Sequence, residues 1–302
     1  MGATASARTP RAPHAVHAER CGTRTPLQSA PMRPAALAAL MQRTEGAEIT
    51  SYLVADPRMA KESGVRVSHA GGLISWTMKS TDNGFLNRAL GFGTMTDATP
   101  EVLDRLERRF AAARRPPRIA VALGPTPRNA VRLLERRGYE PEDGTEEHIY
   151  CYDRRTLPRV HPIGGLTVER VRPEQAAEYA KIAFASFRER GPWFRGIVET
   201  LVRRRAHGRS LSAYLGRIDG VAAATGMLFD VRPVGGLGNG SVLPEFRGRG
   251  IQSAMIAHRM RAGWERGLRI FFGQTRNPAS AHNLEDLGWR RLYTEVDWVR
   301  TT

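Results

Sequence analysis

The sequence predicts an α+β fold of two similar units in tandem, each a mixed, mostly antiparallel sheet flanked by helices. Three observations predict it. The chain has 302 residues, which at roughly 150 residues per domain suggests two domains. Short apolar runs bounded by turn signals alternate with helix-period segments. A weak internal repeat also recurs at an offset of about 150 residues.

In the first copy of the repeat, the strand Arg118-Ile-Ala-Val-Ala-Leu123 precedes a run from Pro127 to Tyr139 that carries Ala, Leu and Gly-Tyr at fixed spacing. In the second, Arg269-Ile-Phe-Phe-Gly-Gln274 precedes a run from Asn277 to Trp289 that carries Ser, Leu and Gly-Trp at the same spacing. Each run reads as a helix of about three turns, ended by Gly138 or Gly288 as a left-handed cap. The aromatic residue after each glycine leads into a further strand, 146–153 and 290–300.

The remainder of the second copy reads in order. Leu166 to Val171 is a strand. Pro173 opens a helix to about Arg188, where proline at the first turn loses no hydrogen bond. A second helix covers about 193–206. Ser212 to Arg217 and Val221 to Asp230 are strands joined by Asp219-Gly220, a strong hairpin signal. Val234 to Val242 is a glycine-rich strand, and Ile251 to Arg266 is a helix with Ile251, Ala254, Met255 and Ala262 on one face. The expected organisation is a tail or mis-assigned start at 1–33, a first unit at 34–155, a linker at 156–165 and a second unit at 166–302.

Hydrophobic content of 41 % and charged content of 25 % indicate a globular protein. No stretch approaches the roughly 18 apolar residues of a membrane span. The net charge of +16 invites a nucleic-acid partner. Lysine occurs only at Lys61, Lys79 and Lys181, however, and the arginines are scattered rather than stacked in a stripe, which argues against a dedicated nucleic-acid role. Cys21 and Cys151 are too few for a disulfide framework or a zinc site; no metal is expected, and a reducing cytoplasm fits.

The chemistry-bearing segment is Val242-Leu-Pro-Glu-Phe-Arg-Gly-Arg-Gly-Ile-Gln252. A strand ends, a turn follows, and a helix begins after Gly250. Gly248 and Gly250 can take positive φ or admit close backbone approach. Their N–H groups then face a concavity at a helix N-terminus, where unpaired donors and the helix dipole favour an anion. Arg247 and Arg249 add charge suited to phosphate oxygens, and a pyrophosphate is the natural ligand. The context sharpens the motif: a glycine-rich strand before it, an amphipathic helix after it, and then Asn277 with Ser280, Leu284, Gly288 and Trp289.

These residues resemble the GNAT superfamily of acyl-CoA-dependent N-acyltransferases over about 165–300. The resemblance implies that Arg247, Gly248, Arg249, Gly250, Ile251 and Gln252 bind the pyrophosphate of acetyl-CoA, the acyl donor, through backbone amides. It implies a bulge in the preceding strand, permitted by Gly235, Gly236, Gly238 and Gly240, with Gly240 to Val242 facing the thioester. Ser241, Val242 and Leu243 thus join the cofactor-binding set, as do Asn277 and Ser280. Two positions depart from the pattern. Gln252 stands where Gly or Ala is usual, and Leu284 stands where a Tyr general acid is frequent. His282 shares the helix of Leu284 but points away from it.

The implied activity is an N-acetyltransferase acting on the primary amine of a small molecule, amino acid or peptide by direct attack on the thioester. An ammonium must first lose a proton; Asp230 and Glu245 are candidate bases, each equally readable as a solvated turn residue. Arg195 or Arg232 could hold an anionic group of the acceptor. The first copy resembles the same unit more faintly over about 45–155, and its acidic loop near Asp97 to Glu101 would repel pyrophosphate, so it reads as degenerate. Trp76 and the strand Phe85-Leu-Asn-Arg88 could line a cleft between the units or simply pack in the core. The alternative to an enzyme is a non-catalytic acyl-CoA-binding regulatory protein. The oligomeric state is not legible.

Overall fold

Strand and helix periods alternate as expected, and the computed structural model describes residues 1–2, 32–186, 192–206, 208 and 210–300. The expected N-terminal tail and Cys21 lie outside the described residues. Every element of the described residues lies in a compact unit from Arg33 onward.

The first half begins with α1 (Pro34–Leu53), α2 (Pro57–Glu62), β1 (Arg66–Ala70), β2 (Leu73–Thr77) and β3 (Arg88–Leu90). It continues with α3 (Pro100–Ala113), β4 (Arg118–Ala122), α4 (Arg128–Arg136), β5 (Glu140–Pro141) and β6 (Glu147–Tyr152). The second half opens with β7 (Leu166–Arg170), α5 (Ala176–Ser186), α6 (Pro192–Arg205), β8 (Leu211–Ile218) and β9 (Val221–Val231). It ends with β10 (Val234–Val242), α7 (Ile251–Glu265), β11 (Ile270–Thr275), α8 (Pro278–Asp286) and β12 (Arg290–Val299).

Local chemistry explains the legible boundaries. Asp219 and Gly220 both have positive φ, 48° and 83°, as a two-residue hairpin turn requires. At the ends of α4 and α8, Tyr139 and Trp289 donate backwards to the carbonyls of Leu134 and Leu284, the bond pattern of a helix closed by a left-handed glycine. One expectation changes: Gly84–Leu86 forms a 3₁₀ turn and only Arg88–Leu90 is a strand. The Asn83 side chain accepts from the Phe85 N–H and bends the chain there.

Among the described residues the twelve strands form one sheet, in the order β1-β2-β3-β4-β12-β6-β11-β10-β9-β8-β7, with β5 paired to β12. Only β3–β4 and β10–β11 are parallel. The last strand of each half sits in the other's territory. β6 pairs with β11, β12 pairs with β4, and β6 and β12 pair with each other. The sheet therefore runs without a break across the segment 156–165.

Helices cover both faces. On one, α1 lies along the centre of the sheet, with Leu37, Ala38 and Met41 against Ala122, Cys151 and Phe272 and Ile49 and Leu53 against Ile74, Trp76 and Leu90. On the same face α5 and α6 pack on β8 and β9. On the other, α3 and α4 cover Ile119, Val121 and Trp298, and α7 and α8 cover Leu228, Tyr150 and Phe271. Among the described residues no helix is long and apolar enough to cross a membrane.

Candidate active site

The site begins where two parallel strands part. β10 pairs with β11 only from Val234 to Gly236, opposite Ile270 to Phe272. Beyond that point β10 stays with β9, but its register slips between Gly238 and Ser241. Asn239 and Gly240 there oppose the single residue Gly226, and Asn239 takes φ 51°. This is a β-bulge, which bends a strand and re-aims its groups. The gap between β10 and β11 is the floor of a cleft of about 1100 Å³.

One wall is the loop after β10. Gly248 and Gly250 both sit at φ 74°, a conformation that glycine adopts without the Cβ penalty. Gly250 is the N-cap of α7 and supplies no side chain to it. The first-turn N–H groups of α7 have no intrahelical acceptor and open on the cleft. Arg247 folds back, its Nε donating to the Val242 carbonyl at 3.1 Å.

Across the cleft stands the start of α8. Asn277 caps that helix, its Oδ1 accepting from the N–H groups of Ala279 and Ser280 at 2.9 and 3.2 Å. Its amide oxygen is thus committed to the helix. Leu284 is buried against Trp289 and Gly273, so no hydroxyl stands at that position. His282 pairs with Asp286 at 3.2 Å.

The structure brings Ser241, Val242, Arg247, Gly248, Gly250, Ile251, Gln252, Asn277 and Ser280 to the lining of this one cleft. Leu243 and Arg249 lie outside the lining. Ser241 Oγ is 2.6 Å from Thr225 Oγ1, which commits its hydroxyl to the sheet. Gln252 Oε1 is buried without a hydrogen-bond partner, beside the bulge at Gly240.

The two candidate bases stand elsewhere. Asp230 opposes Gly235, at the end where β10 and β11 are still joined, and faces Arg232 at 3.4 Å. Glu245 is exposed in the turn Pro244–Phe246. Neither lines the cleft, and neither do Arg195 or Arg232. Trp76 is fully buried in the core, its Nε1 donating to the Phe85 carbonyl at 2.8 Å. Phe85 does line the cleft.

On the face opposite α7, the first half supplies groups that the sequence reading missed. Glu48, Ile49, Tyr52 and Leu53 of α1 line the cleft beside Phe85 and Phe194. Behind them lies a buried polar cluster at the bulge. Tyr179 donates to Asn239 Oδ1 at 3.1 Å. Arg259 of α7 donates to the carbonyls of Met255, Met227 and Gly238, and burial lowers its guanidinium to about 10.

One turn earlier on α1, Glu45 joins a second buried network. Arg88 bonds Glu45 at 2.8 Å and also Glu295, and its Nε lies 2.8 Å from Asp297. Gln42 donates to Glu295 at 2.7 Å. Burial, and then the charge of Glu295, raise Glu45 well above the carboxylate range. Burial alone would lower Arg88, but Asp297, Glu45 and Glu295 together raise it. Cys151 is inert by the same physics, since burial pushes its thiol up to about 12.

Comparison with known proteins agrees with this architecture. Residues 152–273 match the model of the acetyltransferase (GNAT) domain. No curated protein matches the sequence. Among solved structures, a GCN5-related N-acetyltransferase from Kribbella flavida aligns with a TM-score of 0.63 at 19 % identity, over 88 % of this chain and 96 % of that one. One from Sphaerobacter thermophilus aligns with a TM-score of 0.56 at 12 % identity, over 89 % and 93 %. A tandem GNAT protein from the clavulanic acid biosynthesis pathway aligns with a TM-score of 0.52 at 15 % identity, over 77 % and 84 %. At these identities the likeness is one of fold. Residues 152–273 are thus similar to a GNAT acetyltransferase domain, and the fold of the described residues resembles those of GNAT structures, a tandem one among them.

Proposed function

We propose that the protein transfers an acetyl group from acetyl-CoA to the primary amine of a small molecule, amino acid or peptide. The observation that carries this reading is the open N-terminus of α7, which delivers unpaired N–H groups, two left-handed glycines and Arg247 to the mouth of a cleft at the β10–β11 splay. Pyrophosphate fits there as an anion at a helix dipole. The pantetheine arm would run along β10 toward the bulge, where the strand edge turned away from β11 offers unpaired backbone groups. An amine entering from the α1 face would meet the thioester carbonyl at the gap.

In the first half, the equivalent helix α3 closes its own start. The Thr99 hydroxyl caps it, and the hydrogen bond with Thr99 holds Glu101 below the usual carboxylate range. An acid at that terminus satisfies the dipole and repels phosphate. We assign one acyl-CoA site per chain, in the second half, and read the first half as a unit that has given up cofactor binding.

Leu284 favours one competing reading, an acyl-CoA sensor without turnover, because it cannot protonate the departing thiolate. A thiolate is a good enough leaving group to depart unaided. Transfer of radiolabelled acetyl to a panel of amines separates the two. Labelled product with any amine supports the enzyme; acetyl-CoA binding with no product across the panel supports the sensor.

A further inference from the structure

A second groove lies on the first half, between α3 and the hairpin of β1 and β2, and shares no lining residue with the cleft. Opposed residues of an antiparallel pair point to the same face. Arg66 opposes Thr77 and Ser68 opposes Ser75, so these four side chains stand together. Leu73, on the same face of β2, packs with Leu103 and Leu106 of α3. Ile74 and Trp76 alternate to the other face, against α1. From α3, Arg105, Arg108, Arg109 and Ala112 reach the groove at helical spacing, and the two elements enclose a cavity of about 470 Å³. The Arg105 guanidinium extends across to the turn of the hairpin, where a Cβ at Gly71 would stand 3.5 Å from its Nη2.

Two features separate this groove from an ordinary basic surface. The first is charge without compensation. Among the described residues Arg66, Arg105, Arg108 and Arg109 make no ion pair and no side-chain hydrogen bond. The acids of α3 are engaged elsewhere: Asp104 bonds Arg137 and Glu107 bonds Arg300. Glu101, held low first by its bond with Thr99, feels the charge of Arg105 as well. The second feature is the floor. Ser75 and Thr77 are only 4 % and 5 % exposed. Among the described residues neither hydroxyl has a hydrogen-bond partner, and both line the cavity. A buried donor left unpaired is unfavourable, and a ligand oxygen seated on the floor would relieve it.

The donor set selects the ligand. Guanidinium forks match phosphate oxygens two at a time, and hydroxyls can donate to the oxygen that points inward. A phosphomonoester brings about −1.5 to −2 charges at pH 7 and three acceptor oxygens; a carboxylate brings one charge and two oxygens. A phosphodiester strand carries a sugar on either side of each phosphate, which keeps its oxygens away from hydroxyls buried this deeply. The cavity is larger than a phosphate ion and falls in the range of roughly 300–1,000 Å³ that holds small organic ligands. The arginine stems and Ala112 give it an apolar wall. We propose that this groove binds the phosphomonoester of a small organic molecule, with Ser75 and Thr77 donating to phosphate oxygens at the floor and the arginines closing around them. The site stands independently of the acetyl-transfer reading.

The test is calorimetric titration of the full chain, at fixed ionic strength in a phosphate-free buffer. The probes are phenyl phosphate, ribose 5-phosphate, inorganic phosphate and a single-stranded oligonucleotide with no terminal phosphate. The proteins are the wild type, Ser75→Ala with Thr77→Val, Arg105→Gln with Arg109→Gln, and Arg247→Glu with Gly250→Asp. Saturable binding of at least one organic phosphate, tighter than inorganic phosphate, is expected in the wild type. Loss of the hydroxyls should weaken it about tenfold, and loss of the two arginines about 10²-fold. The loop variant should bind as the wild type does. Without ligand, the hydroxyl variant should melt at or above the wild-type temperature, since it removes only unpaired donors. A clear drop there would show that the hydroxyls are already engaged in the fold and would overturn the proposal. So would binding unchanged in the hydroxyl variant, or binding lost in the loop variant alone. Inorganic phosphate binding as tightly as both organic phosphates would replace the proposed ligand with the free ion. Oligonucleotide binding that neither organic phosphate displaces would replace it with a nucleic-acid backbone, and failure of all three phosphates to bind would remove the site.

Discussion

Arg88 stands among three buried carboxylates, Glu45, Glu295 and Asp297, so its removal and the removal of one acid should differ sharply. Arg88→Ala leaves buried charges uncompensated and should cost about 3–5 kcal/mol in chemical denaturation. Glu45→Gln should be far milder, because burial and the charge of Glu295 favour the neutral form of this carboxyl and the amide that replaces it is neutral. The raised value of Glu45 means that the native state binds the carboxyl proton more tightly than the unfolded chain does. That contribution to stability is fully present below the ordinary carboxylate value and is lost as pH rises through the native value. Wild-type stability should decline as pH climbs through that window, and the Glu45→Gln curve should be flatter. Parallel curves for the two proteins would contradict this account of the buried network.

Two helices, one in each half, begin in different ways. α3 begins with a Thr99 cap, a proline and an acid; α7 begins with a left-handed glycine and no side-chain cap. Thr99→Ala should destabilise by about 1 kcal/mol, the worth of a helix cap, and leave acetyl-CoA affinity unchanged. Gly250→Ala forces a Cβ into the left-handed region, costing about 1–2 kcal/mol, and should weaken acetyl-CoA as well. Thermal melting and titration on the same samples read both effects, and a change in affinity for Thr99→Ala would contradict the assignment of the site. The start of α7 was legible because its signal is local: two glycines and two arginines between a strand and an amphipathic helix. α1 was not, because buried residues occur nearly all round it, with Gln42, Thr44, Glu45 and Glu48 among them, and it shows no one-sided apolar stripe. Its place in the cleft wall is set only when it lies against Gly236 and Gly238, far along the chain.

At the scale of the molecule, the exchanged strands make the halves interdependent. β12 fills the place beside β4, and β6 the place beside β11. Cutting the chain within 156–165 would leave each half without the strand that completes its sheet, with an open edge prone to aggregation. Each half expressed alone should lack cooperative unfolding, and the two co-expressed should purify as a complex with the wild-type circular dichroism spectrum. A cooperative, monomeric second half would contradict this. The tandem repeat was legible from the paired glycines and the strand before each run, and the second half followed from hairpin and helix signals. The exchange was not, because β6 and β12 have similar patterns and either would satisfy the same neighbour; only the three-dimensional path separates the choices. The cleft inherits this interdependence, lined by the loop after β10 from one half and by α1 from the other.

The most direct test of the central claim is a calorimetric titration of acetyl-CoA into the full chain beside an Arg247→Glu, Gly250→Asp variant. One site per chain in the intact protein, abolished in a variant that melts as a folded protein, is the predicted result. Two sites per chain, or binding unchanged in the variant, would contradict the assignment of the cofactor to the α7 loop.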